Sequence, residues 1–323
     1  MQPAKAAVVV NPASGNGKSV KRWPEIAEAL KAEGLSFVYK FTEKAGDATD
    51  LTRRYLQEGY ELIISVGGDG NGNEVINGFF DHGKAVQKNS AVAFIPTGTG
   101  SDLVRTVGVP KINTEAVKHI IRSPVRPVDL GKVTYLDNQG AQITRYFINI
   151  AGLGLDGDTV NRVNRTSKAL GGFISFLWGT VISLLFNRNQ NMTITVDGEL
   201  VCREPVTVVV IGNGRYFGGG MKIAPHVEMD DGLFDIVILH SLTKKDLLLN
   251  LPRVYRGTHL GHPCITSLRG RNITVSSTGN ALLNLDGEQP GRDRVASPGY
   301  QSEKLDLTRP SQLGQIASFG LTG

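Results

Sequence analysis

Two carboxylates, Asp69 and Glu74, lie in a glycine-rich segment, SVGGDGNGNEV, that follows the apolar run Leu62–Ile64. Glycines after a strand let the main chain approach a phosphate closely, and the N–H groups of the next helix attract its charge. A carboxylate would repel that phosphate unless a cation lay between the two groups. The segment therefore indicates a nucleotide phosphate bridged to the protein by Mg²⁺. The alternative is a tight turn whose acid caps a helix.

Two further segments have the same design. NPASGNGK, Asn11–Lys18, follows the β-branched run Ala6–Val10, and IPTGTGSD, Ile95–Asp102, completes a third apolar run. Each offers glycines and small polar side chains to an anion, although a plain turn explains Asn11–Lys18 equally well and an N-cap explains Asp102. Ligands gather at the carboxyl ends of parallel strands, so we expect all three turns at one edge of a sheet.

The elements that carry these turns change character along the chain. Strand-like and helical runs alternate over residues 1–130, which predicts an α/β domain with a mostly parallel sheet. Residues 131–323 contain short alternating runs joined by Asn-Gly and Asp-Gly turns, which predict an antiparallel β-rich sandwich. Helices are expected there only at Thr159–Asn187 and Lys244–Gly257. We also expect the extreme C-terminus to pack back on the first domain.

Composition narrows the class of protein. The chain has 323 residues, 40% of them hydrophobic, a net charge of +5 and two cysteines. This mild positive charge favours anionic ligands or an anionic membrane surface and argues against a nucleic-acid partner. No signal peptide or disulfide framework is evident, so we expect a cytoplasmic protein. We interpret the apolar segment Ala169–Phe186 as a buried or membrane-facing helix, because its glycines and hydroxyls suit a membrane span poorly.

The glycine segments also resemble those of a known family. GGDGNGNEVING, Gly67–Gly78, followed by PTGTGSD, Pro96–Asp102, resembles the bacterial diacylglycerol kinase and lipid kinase family, whose relatives include sphingosine and ceramide kinases. The likeness runs nearly end to end, through NPASGNGK, VDLGKV, FINIAGLGLDGDT, GNGRYFGGGMKIAP, DDGLFDIVI and LDGEQ. It implies an α/β domain of the phosphofructokinase and NAD-kinase type, a β-rich lipid-substrate domain, and an active site in the cleft between them.

The resemblance assigns roles residue by residue. It places the catalytic acid pair at Asp286 and Glu288, without deciding which of them is the base. The positions that match ATP-binding residues are Asn11, Pro12, Ala13, Ser14, Gly15, Thr42, Gly68, Asp69, Gly70, Asn71, Gly72, Asn73, Glu74 and Thr99. The positions that match a structural Mg²⁺ site are the carboxylates of Asp69, Asp102 and Asp231 and the main-chain carbonyls of Glu228 and Leu233.

The sequence also departs from the family pattern. Asn71 replaces the usual threonine after GGDG, Ser101 replaces the usual asparagine of GTGND, and GDA at Gly46–Ala48 replaces Gly-His-Ala. We expect these changes to alter nucleotide affinity or preference. A second DGE, Asp197–Glu199, lies between alternating β runs, so we interpret it as a hairpin turn, whereas Asp286–Glu288 has a less regular exit.

Two polar clusters are assigned no catalytic role. His259, His262 and Cys264 suggest a zinc site, but no fourth ligand follows at a suitable spacing, and we do not predict one. The basic residues Lys244, Lys245, Arg253 and Arg256 are interpreted as a solvated face that could meet acidic lipid head groups.

The sequence thus predicts an ATP- and Mg²⁺-dependent kinase that phosphorylates the hydroxyl of diacylglycerol or a related lipid. It would be associated peripherally with the membrane and could form a homodimer through an exposed sheet edge. Two alternatives remain open: an NAD kinase-like phosphotransferase, and a lapsed kinase that binds nucleotide or lipid as a regulator.

Overall fold

The computed structural model describes residues 5–98, 100–136, 141–156, 189–277, 281–288, 303–308 and 317–318. The predicted nucleotide contact at Thr99 and the helix expected at Thr159–Asn187 lie outside these residues. The chain divides into two compact units, one made of Met1–Asp129 with Gln312–Gly323 and the other of Leu130–Ser311.

The first unit is an α/β layer structure around a six-stranded sheet with the order β2-β1-β3-β6-β18-β7. Neighbouring strands from β2 to β18 pair in parallel, and β7 pairs antiparallel with β18. The elements are β1 (Ala6–Val10), α1 (Ser14–Ala32), β2 (Phe37–Phe41), α2 (Asp47–Gln57), β3 (Leu62–Gly67), α3 (Asp69–Gly78), β4 (Phe80–Asp81), β5 (Lys84–Ala85), β6 (Ala91–Pro96), α4 (Asp102–Val107), α5 (Asn113–Arg122), β7 (Arg126–Pro127) and β18 (Ala317–Ser318).

Burial explains why the central strands read as continuous apolar runs. Every residue of β1 is buried, and only the first residues of β3 and β6 are partly exposed, as expected for parallel strands with both faces covered. The strand β2 lies at the sheet edge, where Val38 and Tyr39 are exposed. The prediction of a mostly parallel α/β unit is confirmed.

The second unit is an antiparallel structure of ten strands with one described helix. The path runs β14-β13-β12-β11-β15-β17-β8-β9, and β10 pairs with both β12 and β16. The elements are β8 (Gly131–Leu136), β9 (Gln142–Phe147), β10 (Ile150–Asp156), β11 (Gln190–Val196), β12 (Glu199–Gly212), β13 (Phe234–His240), α6 (Lys244–Arg256), β14 (Ile265–Gly270), β15 (Asn272–Ser277), β16 (Ala281–Leu285) and β17 (Glu303–Thr308). The β-rich antiparallel prediction and the helix predicted at Lys244–Gly257 are confirmed.

The long strand β12 organises this second unit. Its first half, Glu199–Val206, pairs with β11, and its second half pairs with β13 on one side and β10 on the other. Because side chains alternate across a strand, Val209 and Ile211 enter one hydrophobic core while Val208 and Val210 contact a second. The second half of β12 is therefore covered on both faces, whereas most residues of its first half are exposed.

No helix among the described residues is long and apolar enough to cross a membrane.

Candidate active site

Three loops of the first unit meet at the carboxyl ends of β1, β3 and β6. The N–H of Asn11 donates to the carbonyl of Val66 at 2.9 Å, and the N–H of Thr97 donates to the carbonyl of Gly67 at 2.9 Å. A Cβ atom on Gly98 would lie 2.7 Å from the Cα of Gly68, a distance that main-chain atoms cannot accommodate. The three glycine turns predicted to share one sheet edge are therefore in direct contact, and glycine is required where two of them touch.

Hydroxyl groups tie the first of these loops to the third. Thr97 Oγ1 lies 2.5 Å from Ser19 Oγ and donates to Ser14 Oγ at 3.5 Å. Gly15 has a left-handed φ of 61°, and a Cβ there would lie 2.3 Å from the carbonyl oxygen of Thr97. Ala13 donates its N–H to Asn11 Oδ1 at 3.0 Å, which closes the turn after β1. Small residues and main chain thus form this edge, which suits a phosphate-binding surface.

The first acid of the glycine segment contacts the start of another helix. Asp69 accepts the N–H of Asp102 at 3.2 Å through Oδ2 and that of Leu103 at 3.4 Å through Oδ1. These are the first two residues of α4, whose own N-cap residue, Ser101, makes no capping hydrogen bond. Asp102 is buried, and its Oδ1 lies 3.8 Å from Arg105 Nε. Asp69 therefore holds α4 by its N-terminus.

The second acid does the same for α2. The Glu74 carboxylate accepts the N–H of Gly46 at 2.9 Å and that of Ala48 at 3.2 Å, and its carbonyl accepts the hydroxyl of Thr49 at 2.9 Å. Glu74 thus caps a helix 26 residues before it in the chain. Both acids therefore cap helices, as the alternative interpretation of this segment proposed. The capped helices, α2 and α4, are distant from α3 in sequence.

The other predicted nucleotide-site residues lie around the same edge. Asn71 is buried and donates from Nδ2 to Ser65 Oγ at 2.8 Å. Asn73 is fully buried, and a Cβ on Gly72 would lie 3.1 Å from the ring of Phe94. Thr42 donates its N–H to the carbonyl of Val10 at 2.9 Å at the end of β2. The side chain of Asn71 therefore faces the protein interior. Pro12, Gly68 and Gly70 lie on the same loops, between β1 and α1 and at the start of α3.

Asp47, which stands at the family's usual histidine, closes the loop before α2. It accepts the N–H of Glu43 at 2.8 Å and that of Lys44 at 3.0 Å, and these bonds lower the pKa of its carboxyl.

In the second unit, Asp286 occupies a nest of main-chain donors. Its Oδ2 accepts the N–H of Ile148 at 2.9 Å, and its Oδ1 accepts those of Asn149 and Ile150, each at 2.9 Å. These donors form the turn between β9 and β10. Asp286 is buried, so its carboxylate fixes the turn that follows β16 against the turn that follows β9.

Two asparagines, Asn149 and Asn213, complete this nest. The sequence motifs did not predict a role for either of them. Asn149 donates from Nδ2 to the carbonyl of Tyr216 at 3.0 Å, and Asn213 donates to the carbonyl of Ile148 at 2.5 Å. Both are buried, and Asn149 Oδ1 has no hydrogen-bond partner among the described residues. The signal was present in FINIAGLG and GNGRYF, where a polar amide follows or interrupts an apolar run.

Glu288 follows Asp286 across a tight turn. Leu285 and Glu288 exchange N–H···O bonds of 2.8 Å, while Asp286 and Gly287 have φ values of 51° and 90°. Glu288 is exposed. The second DGE segment has nearly the same φ values, 50° at Asp197 and 89° at Gly198, and it joins β11 to β12 as a hairpin. The hairpin prediction for Asp197 is confirmed. The less regular exit expected after the Asp286 turn falls on residues 289–291, which lie outside the described residues.

The predicted metal ligands of the second unit lie on the loop before β13. Asp231 accepts the N–H of Leu233 at 2.9 Å through Oδ1, and its Oδ2 accepts a hydrogen bond from Arg269. Glu228 is exposed on the same loop. A carboxylate and main-chain carbonyls are the hard oxygen ligands that Mg²⁺ prefers, so the donor chemistry fits. A cation at Asp231 would nevertheless compete with the Arg269 guanidinium, which also lies 3.3 Å from Asp235.

The histidines and cysteine of HLGHPC do not form a common metal site. His259 is fully buried and bonds through Nε2 to the carbonyl of Ile223 at 3.0 Å. His262 Nδ1 instead accepts the N–H of Cys264 at 3.2 Å.

Comparison with known proteins identifies the class. Residues 5–133 match the diacylglycerol kinase catalytic domain, and residues 149–299 match the YegS C-terminal NAD kinase beta sandwich-like domain. The diacylglycerol kinase of Staphylococcus carnosus (strain TM300) is 30% identical over 89% of this chain and 90% of its own length. That of Bacillus subtilis (strain 168) is 28% identical over 94% and 99%. The crystal structure of a diacylglycerol kinase from Bacillus anthracis strain Sterne matches with a TM-score of 0.68 and 25% identity over 95% of both chains.

The two family matches fall on the α/β unit and on the β-rich unit respectively, and together they define a kinase whose catalytic α/β domain is followed by a β-sandwich-like domain. The chain belongs to the diacylglycerol kinase family.

Proposed function

We propose that this kinase transfers the γ-phosphoryl group of ATP, with Mg²⁺, to the hydroxyl of diacylglycerol or a related lipid. The observation that carries the proposal is the Leu285–Glu288 turn. There a buried carboxylate, Asp286, is held by three main-chain N–H groups, and an exposed carboxylate, Glu288, stands two residues further on.

Nucleotide binding is assigned to the edge of the first unit. The loops after β1, β3 and β6 consist of main chain, glycines and small polar residues such as Ser14, and no side chain is tolerated at Gly15 or Gly98. Such a surface binds phosphate oxygens through geometry rather than through a fixed positive charge.

Mg²⁺ would be held by oxygen ligands. Asp69 and Asp102 lie on the nucleotide edge, and Asp231 with the carbonyls of Glu228 and Leu233 forms the second set. A Mg²⁺ that bridges Asp69 and the nucleotide would neutralise charge that develops on the transferred phosphoryl group. The capping bonds of Asp69 fix where its carboxylate stands, because each oxygen already accepts an N–H of α4.

We assign the role of base to Glu288 and a positioning role to Asp286. Asp286 is buried, and its carboxylate accepts three main-chain N–H groups of the β9–β10 turn, so its contacts are those of a group that holds this turn in place. Glu288 is exposed and can meet a lipid hydroxyl. It would take the hydroxyl proton as the oxygen attacks the phosphoryl group.

The test is transfer of labelled γ-phosphate by purified protein with Mg²⁺ to diacylglycerol, phosphatidylglycerol, a sphingoid base and NAD. Glu288→Gln should lower kcat by about 10²–10⁴-fold with little change in stability. Asp286→Asn should lower stability by about 2–4 kcal/mol, because its amide nitrogen would face at least one N–H donor. Label in NAD alone would favour the NAD kinase-like alternative. ATP binding by calorimetry without label in any acceptor would contradict the proposed reaction.

We further propose that α6 meets the membrane that contains the acceptor. Leu248 and Leu249 are exposed by 52% and 65%, and no residue of the helix is buried. Lys244, Lys245, Arg253 and Arg256 carry positive charge on the same helix. Apolar side chains bordered by cations favour the surface of an anionic bilayer.

Sedimentation with phosphatidylglycerol vesicles tests this surface. Replacing Leu248 and Leu249 by serine should weaken binding at least tenfold, from the apolar area that would no longer enter the bilayer. Lys245→Gln should weaken it about fivefold, since each basic residue near an anionic surface contributes roughly 1 kcal/mol. Leu200→Ser is the matched control, because Leu200 is 59% exposed on the β11–β12 hairpin. An equal loss with the control would contradict a role for α6.

A further inference from the structure

Three side chains of different chemistry converge in the second unit. They lie away from the Leu285–Glu288 turn, here called the acid turn, and from the loop that carries Asp231. A sulfur of Cys202, a carboxylate oxygen of Glu204 and a ring nitrogen of His240 all lie within 4.8 Å of one another. Cys202 is buried, while the side chains of His240 and Glu204 are 21% and 54% exposed. The cluster therefore extends from the protein interior to solvent.

The strand register explains why these residues meet. Cys202 and Glu204 are two residues apart on β12, so their side chains lie on the same face. Val206 comes next on that face and pairs with His240, the last residue of β13. Cys202 and Val206 belong to the larger hydrophobic core of this unit, so the cluster lies at the margin of that core.

The imidazole of His240 is held in a defined orientation. Its Nε2 lies 2.8 Å from Thr266 Oγ1, and its Nδ1 lies 2.5 Å from Glu204 Oε1. A histidine that ligates a metal through one nitrogen commonly donates from the other to an oxygen of the protein, which fixes the tautomer. Thr266 is in place to accept that bond and to leave Nδ1 facing the carboxylate and the sulfur.

We propose that Cys202, Glu204 and His240 form a binding site for a borderline-soft divalent cation such as Zn²⁺, with water as the fourth ligand. Sulfur, imidazole and carboxylate are ligands that Zn²⁺ accepts, and a thiolate excludes Mg²⁺ as the preferred occupant. The cation would join the middle of β12 to the end of β13. This site is independent of the proposed kinase reaction, because none of its ligands belongs to the nucleotide edge, the acid turn or the Asp231 loop.

Binding requires two small adjustments. Tetrahedral ligands at about 2.0–2.1 Å from the metal stand roughly 3.3 Å apart, so the Glu204 carboxylate must withdraw slightly from His240. The exposure of Glu204 permits this movement. Burial raises the pKa of the Cys202 thiol, so the cation displaces the thiol proton, which passes to solvent as the metal–sulfur bond forms.

The experiment is anaerobic titration of the full chain with Co²⁺, in the presence of excess Mg²⁺, followed by sulfur-to-cobalt charge-transfer absorption. The chain has two cysteines, so Cys264→Ser leaves Cys202 as the one thiol and serves as the matched control. We expect one equivalent of Co²⁺ to produce the band in the unmodified protein and in Cys264→Ser, and Zn²⁺ to displace it. Cys202→Ser should lack the band.

Two further variants separate ligation from folding. Glu204→Gln changes an exposed side chain and should weaken Co²⁺ binding at least tenfold while the protein remains folded by circular dichroism. Thr266→Val should weaken it about 10–100-fold through the orientation of His240. Absence of the band in the unmodified protein, its persistence in Cys202→Ser, or unchanged affinity in Glu204→Gln would overturn the proposal. The last result would leave His240 and Glu204 as an ordinary ion pair.

Discussion

Ser101 holds a left-handed backbone conformation, with φ 50° and ψ 45°, immediately before α4. This region is costly for most L-residues and is visited most readily by glycine and asparagine. The Ser101 hydroxyl donates to the carbonyl of Gly98 at 3.3 Å, a single bond that offsets part of that cost. The departure from the family's asparagine therefore has a consequence for the backbone.

We predict that Ser101→Asn stabilises the first unit by about 0.5–1 kcal/mol, because asparagine populates this conformation more readily. Hydrogen exchange of amides in α4 measures the change. Ser101→Ala keeps the strained backbone and loses the bond to Gly98, so it should destabilise the same amides. Stabilisation by alanine would show that φ at this position is not the cause.

The two Asp-Gly turns show where residue-level prediction ends. Both were found from the sequence, and both have the same backbone conformation. They differ in the donors that each carboxylate accepts: Asp197 accepts exposed N–H groups of Arg271 and Asn272, whereas Asp286 accepts the buried donors of the β9–β10 turn. Those donors lie 136–138 residues from Asp286. Local sequence cannot encode that difference, and only the family resemblance pointed to it.

At the scale of elements, the helices α2 and α4 depend on acids that lie in another helix, α3. Neither helix is capped by its own N-cap side chain. Glu74 and Asp69 replace those caps and also compensate the positive helix ends, which attract negative charge. The glycine segment therefore binds two helices together in addition to any role with nucleotide.

We predict that Glu74→Gln lowers the opening free energy of α2 by about 1 kcal/mol, through loss of the charged cap. Hydrogen exchange of the α2 amides reports it. Glu58→Gln is the control at the opposite end of the same helix, where a negative charge is unfavourable, so its effect should be neutral or slightly stabilising. Equal losses in the two variants would refute a capping role.

Strands and turns were predictable where their patterns were strong and local. The glycines that follow β1, β3 and β6 were enough to predict where these strands end. The alternation of apolar and polar residues was enough to predict β11 and β12. Strand β14 was missed, because in ITSLRG the apolar residues Ile265 and Leu268 are three apart and give no period of two. The cluster of Cys202, Glu204 and His240 was missed as well, since strand pairing brings it together.

At the scale of the whole unit, a buried histidine makes stability depend on pH. His259 is fully buried and bonded to Ile223, and burial lowers its pKa below the ordinary 6.5. The unfolded chain therefore takes up the proton first as pH falls, which favours unfolding. This contribution to stability is present above pH 6.5 and is lost progressively below it, toward the folded-state pKa.

We predict that the urea midpoint of the second unit falls as the pH is lowered from about one unit above to about one unit below the ordinary histidine pKa of 6.5, and that His259→Gln reduces this fall. Glutamine can keep the donor to Ile223 and does not titrate. Each unit of pH below the ordinary value removes up to about 1.4 kcal/mol. His226→Gln, at an exposed position, should leave the dependence unchanged. An unaltered dependence in His259→Gln would assign it to other groups.

Each of the two large sheets contains a strand formed by residues between 303 and 318. Strand β17 lies between β15 and β8, where Thr308 pairs with Lys132, and Ala317 of β18 pairs with Ala91 in the first unit. During synthesis, β8 leaves the ribosome long before β17, which pairs with it. The parallel sheet likewise lacks its fifth strand, β18, until late in synthesis. Neither sheet is complete until residues 303–318 have been made. Nascent chains that stop short of residue 303 should therefore carry open sheet edges and need protection from aggregation.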